Sequence, residues 1–224
     1  MRKPAISGMQ ALQDASRALP ILHPNLDAQT LESFYIYLRE LHHFNKALNL
    51  VSSATLPKAH LVHVGDALLF SRIIEDKLGT AQRIYDLGSG NGVPGVILAA
   101  LHNSRSFVCV DRDERKLEFI KHVSQLMGLK NVSVLKQDVE DLGDQKVTLA
   151  VSRGFAPISK TLLLCRGILS VGGRILMMKS ESWTRELADL PSQAFGVWDC
   201  QPIGKYVIPS IDQAGVVVEA TRKA

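Results

Sequence analysis

A chain of 224 residues, 46% of them apolar, can bury the core of one ordinary domain with a small attachment. Its formal charge of +4, from 26 Lys and Arg against 22 Asp and Glu, is compatible with a polyanionic partner without specifying one. Three widely separated cysteines, Cys109, Cys165 and Cys200, argue against a disulfide framework and a Cys-x-x-Cys metal site, and no run of about 18 apolar residues is present to cross a membrane.

The cysteines therefore read as buried small hydrophobes in a reducing compartment. The start, Met1-Arg-Lys-Pro-Ala-Ile-Ser-Gly8, carries no long apolar run behind it, so a cytoplasmic protein is expected. Residues 1–78 have the texture of a helical extension. Leu31, Phe34, Tyr35, Leu38 and Leu41 share a helical face after a candidate N-cap at Asp27, and Leu61, Val64, Leu68, Leu69 and Ile73 suggest a second helix. Between them, Phe44 to Ser53 reads as a polar loop with a helix cap. His42, His43, His60 and His63 lack a Glu or Cys at ligand spacing, so no metal is expected and they read as surface or capping residues.

From Arg83 to Ala100 an apolar segment leads into Gly88, Gly90, Gly92 and Gly95 and then into a second apolar segment, which predicts strand, tight loop and helix. Such a loop lets backbone approach a nucleotide cofactor closely. Two registers fit. Gly90-Asn-Gly-Val-Pro-Gly95 is a G-x-G-x-x-G, the dinucleotide pattern, but places Pro94, which has no N–H, inside the phosphate turn. Asp86-Leu-Gly-Ser-Gly-Asn-Gly92 is the form associated with S-adenosylmethionine, with Asp86 closing the strand where its carboxylate can meet an ammonium group.

Strands and helices alternate beyond the loop, as in a doubly wound parallel sheet occupying residues 79–224. Ser106 to Asp111 is a strand ending about twenty residues after the loop, which places Asp111 opposite a ribose. The helix Glu114 to Met127 leaves Arg115, Lys116 and Lys121 on a polar face that suits either solvent or a polyanion. Strands at Val132 and Val147 bring Asp138, Val139, Glu140 and Arg153 to the carboxyl-end cleft. The Asn-Pro-Pro-Tyr or Asp-Pro-Pro-Tyr of exocyclic-amine methylating enzymes is absent, and Ser152-Arg-Gly-Phe155 stands in its place. Gly172-Gly173 reads as a turn into an edge-proximal strand, Arg174 to Met178. Phe195 to Pro202 and Gly215 to Ala220 read as the last two strands, closing the sheet antiparallel.

Five motifs, Asn49-Leu-Val-Ser52, His63-Val-Gly-Asp-Ala-Leu68, Asp86 to Gly95, Ser152-Arg-Gly-Phe155 and Leu176-Met-Met-Lys179, resemble those of the bacterial ribosomal RNA small-subunit methyltransferase G family, also called glucose-inhibited division protein B. The resemblance spans roughly residues 30 to 180, and the Pro94-Gly95 loop ending is its most specific part. It implies a Rossmann-like class I methyltransferase fold of seven strands, the last antiparallel, with S-adenosylmethionine as cofactor. It implies methyl transfer to N7 of one guanine in 16S ribosomal RNA, with that RNA or the small subunit as partner, and a monomer is the simplest expectation.

Carried over by position, the resemblance makes Gly88, Val93, Val139, Glu140 and Arg153 contacts in the cofactor cleft, to which the reading of the residues adds Asp86, Gly90, Asp111 and Asp138. It makes Arg153 and Lys179 catalytic, and Arg115, Lys116 and Lys179 RNA contacts. Departures are Asp138 in place of a basic residue, the reversed order Arg115-Lys116, Gly154 for alanine and Ser180 for glycine. Two other readings use the same loop: a small-molecule methyltransferase with the helical extension as a lid, and an oxidoreductase in the dinucleotide register.

Overall fold

The computed structural model describes residues 8–145, 147–191, 196–209 and 211–223. Phe195, where one strand is expected to begin, lies outside them. The chain opens with two helices, α1 (Gly8–Leu22) and α2 (Ala28–Leu48). Helix α1 went unread in the sequence, although Ala15, Leu19 and Leu22 recur at helical spacing and are buried. Asp27 is the N-cap of α2, its carboxylate accepting from the Thr30 N–H at 2.7 Å. Helix α2 runs through Phe44 to Leu48, residues expected in a loop, and stops at Asn49, whose φ of 49° gives the left-handed C-cap that asparagine tolerates.

The second helical pattern proves to be two pieces, a π-helical stretch His60–Gly65 and then α3 (Asp66–Ile74). The wider turn shifts the helical phase, so Leu61, Val64 and Leu68 are buried while Phe70 and Ile74 replace Leu69 and Ile73 on the inner face. It also buries His60 and His63, contrary to their reading as surface or capping residues.

Strands β1 (Arg83–Leu87), β2 (Ser106–Asp111), β3 (Val132–Lys136), β4 (Val147–Arg153), β5 (Leu169–Lys179), β6 (Trp198–Ile208) and β7 (Gln213–Arg222) form one sheet in the order β3-β2-β1-β4-β5-β7-β6. All pairings from β3 to β5 are parallel. Strand β7 runs antiparallel between β5 and β6. Strand β5 is therefore interior. It begins before Gly172-Gly173, which sits in a register irregularity opposite Val147–Leu149 rather than in a turn. Pro202 is tolerated because β6 is an edge.

Helices α4 (Gly95–Leu101), α5 (Glu114–Leu126), α6 (Ile158–Cys165) and α7 (Trp183–Ala188) cover the sheet. Side chains of α1, α2 and the π-helical stretch share one apolar cluster with α4 and α5. Phe34, Tyr37, Leu38 and Leu41 lie in that cluster, and burying each stabilises by about 1.5–3 kcal/mol. The sheet order reverses between β1 and β4, so the crevice of this fold opens at their carboxyl ends.

Candidate active site

At that crevice lies a cavity of about 560 Å³, walled by the loops that follow β1, β2, β3 and β4. Gly88, Gly90 and Val93 line it from the first loop, Asp111 from the second, Asp138, Val139 and Glu140 from the third, and Arg153 from the fourth. Eight of the nine expected cofactor contacts thus meet around one space. Sequence reading missed His63, Gln137, Phe155 and Lys160 on the same wall. The position of Gln137 just before Asp138, beyond the end of β3, could have flagged it. Nothing local marks Lys160.

Asp86 is the exception. It is fully buried and absent from the cavity wall, and its Oδ2 accepts from the Gly95 N–H at 2.9 Å. Gly95 must be glycine there, since an added Cβ would lie 2.7 Å from that oxygen. Its other oxygen, Oδ1, has no hydrogen-bond partner, and burial pushes the carboxyl up to about 7. Asp86 acts first as a bolt under the glycine loop.

The loop itself is held from inside. Ser89 N–H donates to the Val110 carbonyl at 2.9 Å, Gly90 N–H to Asp111 Oδ2 at 2.8 Å, Gly92 N–H to the Ser89 carbonyl at 2.7 Å, and Val96 N–H to the Gly92 carbonyl at 2.7 Å. Val93 N–H donates to Asn91 Oδ1 at 3.3 Å, and Pro94 has no N–H. A pyrophosphate cradle needs free N–H groups aimed outward, and these are already engaged. The arrangement disfavours the dinucleotide register. Buried Tyr37 of α2 donates to the Asn91 carbonyl at 3.0 Å, tying the helical extension to the loop. Asp111 accepts from Gly90 and Asp113 N–H, one on each oxygen, and each oxygen keeps a lone pair for ribose hydroxyls. With Val93, Val110, Val139 and Phe155 as apolar walls, these residues fit an adenosine-type cofactor without phosphates.

Arg153 ends β4 and is pinned. Its Nε pairs with Asp66 Oδ2 at 2.9 Å, Nη1 meets His63 Nδ1 at 2.8 Å, and Nη2 donates to the Val62 carbonyl. Arginine is always a donor, so His63 accepts at Nδ1. Burial, and after it the guanidinium, lowers the imidazole to about 3 and keeps it neutral. Lys179, at the end of β5, is outside this cavity. Its ammonium donates to the Ala156 carbonyl at 2.7 Å and pairs with Glu186 at 2.8 Å, leaving the side chain 9% exposed. Glu186 also accepts from the Ile158 N–H, so Lys179 anchors the loop between β4 and α6. Of the two expected basic neighbours on α5, Lys116 lines the cavity while Arg115 folds back on Asp113 at 3.4 Å. Among the described residues no cluster of three His, Cys, Asp or Glu could hold a metal.

A seven-stranded doubly wound sheet with one antiparallel strand and a cavity at its switch point walled by a glycine loop and Asp111 defines a class I methyltransferase. Among solved structures, a precorrin-6y methyltransferase from Geobacter metallireducens has the same fold, with a TM-score of 0.50 at 11% identity, covering 68% of this chain and 87% of that one. A variant of MtNAS in complex with S-adenosylmethionine matches with a TM-score of 0.53 at 14% identity, covering 98% of this chain and 85% of that one. The ribosomal RNA small subunit methyltransferase G 3 of Bdellovibrio bacteriovorus is 36% identical over 186 residues, 83% of this chain and 84% of that protein. The family described as rRNA small subunit methyltransferase G matches residues 30–196, and the chain belongs to it.

Proposed function

We propose that this enzyme transfers a methyl group from S-adenosylmethionine to N7 of one guanine in 16S ribosomal RNA, acting as a monomer in the cytoplasm. The observation that carries the reading is the cavity at the switch point. The N–H groups of Ser89, Gly90, Gly92, Val93 and Gly95 in its glycine loop are engaged internally, and the carboxylate of Asp111, at ribose distance, is fixed by two backbone donors. When bound, the cofactor supplies an electrophilic sulfonium methyl; the N7 lone pair forms the new bond, the old C–S electrons remain on sulfur, and no proton moves.

The chain's residues meet those needs. Loop backbone at Gly88 and Gly90 with Val93 would hold the amino-acid end, Asp111 the ribose, and Asp138, Val139 and Glu140 the adenine region. A nucleophile without a proton to lose needs no general base, and His63, held neutral as an acceptor for Arg153, is not required as one. Positioning is then the main task, and it can supply on the order of 7–11 kcal/mol of the barrier. Guanine N7 lies on an edge that A-form RNA hides, so the base must be splayed out of its stack. Lys116 on the cavity wall supplies positive charge for the RNA backbone.

The test is transfer of labelled methyl from S-adenosylmethionine to 16S RNA purified from cells lacking the gene. Label confined to N7 of one guanine supports the reading. Label that reaches small molecules but never RNA sinks it.

A further inference from the structure

A second cavity of about 420 Å³ opens beside the first, within the range of pockets that hold small ligands. Arg153 and Gly154 belong to the walls of both. The rest of its wall includes Asp66, Lys179 and Tyr206 with the first residues of β7, Gln213 to Gly215. A group seated there reaches the cofactor cavity across the Arg153–Gly154 step. Gly154 sits at that step with a φ of 61°, which favours glycine, and the space where a Cβ would stand is open, with no atom within 4 Å.

Arg153 is fixed at this boundary more firmly than a binding residue on a loop requires. An arginine has five N–H groups, and three of them are engaged by Asp66, His63 and the Val62 carbonyl. Asp66 is itself clamped, its Oδ1 accepting from the Tyr206 hydroxyl at 2.6 Å. Tyr206 comes from edge strand β6 and lies over Gly215 of β7, where an added Cβ would collide with the tyrosine ring at 2.2 Å. The clamp therefore joins α3, β4, β6 and β7 around one guanidinium. Two of its N–H groups remain without a partner among the described residues.

We infer that the second cavity receives the target base, and that Asp66, Tyr206 and His63 are positioning residues that hold Arg153 as a donor to the base's acceptor edge. The inference rests on the guanine-N7 reading of the cofactor site. On guanine, O6 is the acceptor next to N7, so an N–H held on O6 orients the base while leaving the N7 lone pair free for the methyl group. Lys179, with one of its three N–H groups still unengaged, borders the same space.

Steady-state methyl transfer to 16S RNA, with cofactor affinity measured by calorimetry, tests this. Tyr206→Phe removes only the hydroxyl and is expected to lower kcat about tenfold. Asp66→Ala frees Arg153 and is expected to cost about 10²-fold in kcat, the scale of a misplacement of about 1 Å. Asp66→Asn restores most of that loss, because its amide oxygen still accepts from Arg153 and the Tyr206 hydroxyl can turn to accept from its NH₂. Ala214→Phe fills the second cavity and is expected to raise the RNA KM at least about tenfold. Cofactor Kd stays within about twofold of wild type in all four, which a general loss of structure would not permit.

Wild-type kcat in Tyr206→Phe together with wild-type RNA KM in Ala214→Phe overturns the inference while leaving the methyltransferase reading intact. Activity that falls only in step with cofactor affinity also overturns it. A wild-type enzyme that labels no RNA removes the reading and this inference together.

Discussion

Replacing Asp86 by asparagine removes a fully buried carboxyl whose protonation the fold controls. Burial raises this group from 3.8 to about 7, so between those values the folded state holds a proton that the unfolded chain has released. Stability from this group is full below about pH 4 and is lost as pH rises through about 7. From about pH 5 to about pH 8 the loss amounts to about 2–3 kcal/mol, because each tenfold difference in proton affinity between the folded and unfolded states is worth about 1.4 kcal/mol. Asparagine keeps an acceptor for Gly95 N–H but does not ionise. It places an NH₂ where Oδ1 has no partner, a cost of about 1–3 kcal/mol that does not vary with pH.

Urea unfolding followed by Trp183 and Trp198 fluorescence should therefore show the variant gaining on wild type by about 2–3 kcal/mol over that pH range. His63, lowered to about 3, titrates in the opposite sense, losing stability as pH falls below 6.5. It is present in both proteins and cancels in the difference. A difference that stays flat with pH would mean that Asp86 is not held protonated beneath the loop.

Tyr37→Phe leaves the Asn91 carbonyl without its donor and should destabilise the protein by about 1–3 kcal/mol, with weaker cofactor binding in calorimetry. Gly88→Ala drives a Cβ to 2.4 Å from the Phe155 ring at a φ of 67°, and cofactor affinity should fall at least about tenfold while circular dichroism stays native. Arg153→Ala should suppress methylation of 16S RNA without abolishing cofactor binding. Lys179→Ala should suppress it too, through release of the loop that Lys179 ties at Ala156 and Glu186; near-normal turnover in both variants removes them from the mechanism. Adding NAD in excess should leave methyl transfer unchanged, since the loop N–H groups are engaged internally; competition would contradict that geometry.

The wall of the switch-point cavity was legible because its determinants are local. A short apolar run, glycines at fixed offsets and an acid about twenty residues on place the glycine loop and Asp111 without any knowledge of distant contacts, and the family resemblance adds Val93. The rule that ligands lie beyond the carboxyl ends of parallel strands did the same for Val139 and Arg153. What failed to show was whatever depends on residues far apart in the chain. His63 meets Arg153 across 90 positions, and Tyr206 meets Asp66 across 140. His63, Asp66 and Arg153 stand in motifs and Tyr206 in none, but no motif or period says which of them meet. The π-helical stretch hid the burial of His60 and His63, because a single helical period cannot describe a segment whose phase slips by part of a turn. Gly172-Gly173 looked like a turn because its glycines mark an irregularity in a long strand as readily as they mark a reversal. Arg115 and Lys116 are adjacent in sequence but turn about 100° apart on a helix, which is why one reaches the cavity and the other does not.

Mass-spectrometric mapping of N7-methylguanine in 16S RNA from cells lacking this gene puts the proposed reaction to its most direct test. One guanine is expected to lose its methyl group and to regain it when the wild-type gene, but not Arg153→Ala, is returned. An unchanged modification map contradicts the proposed reaction.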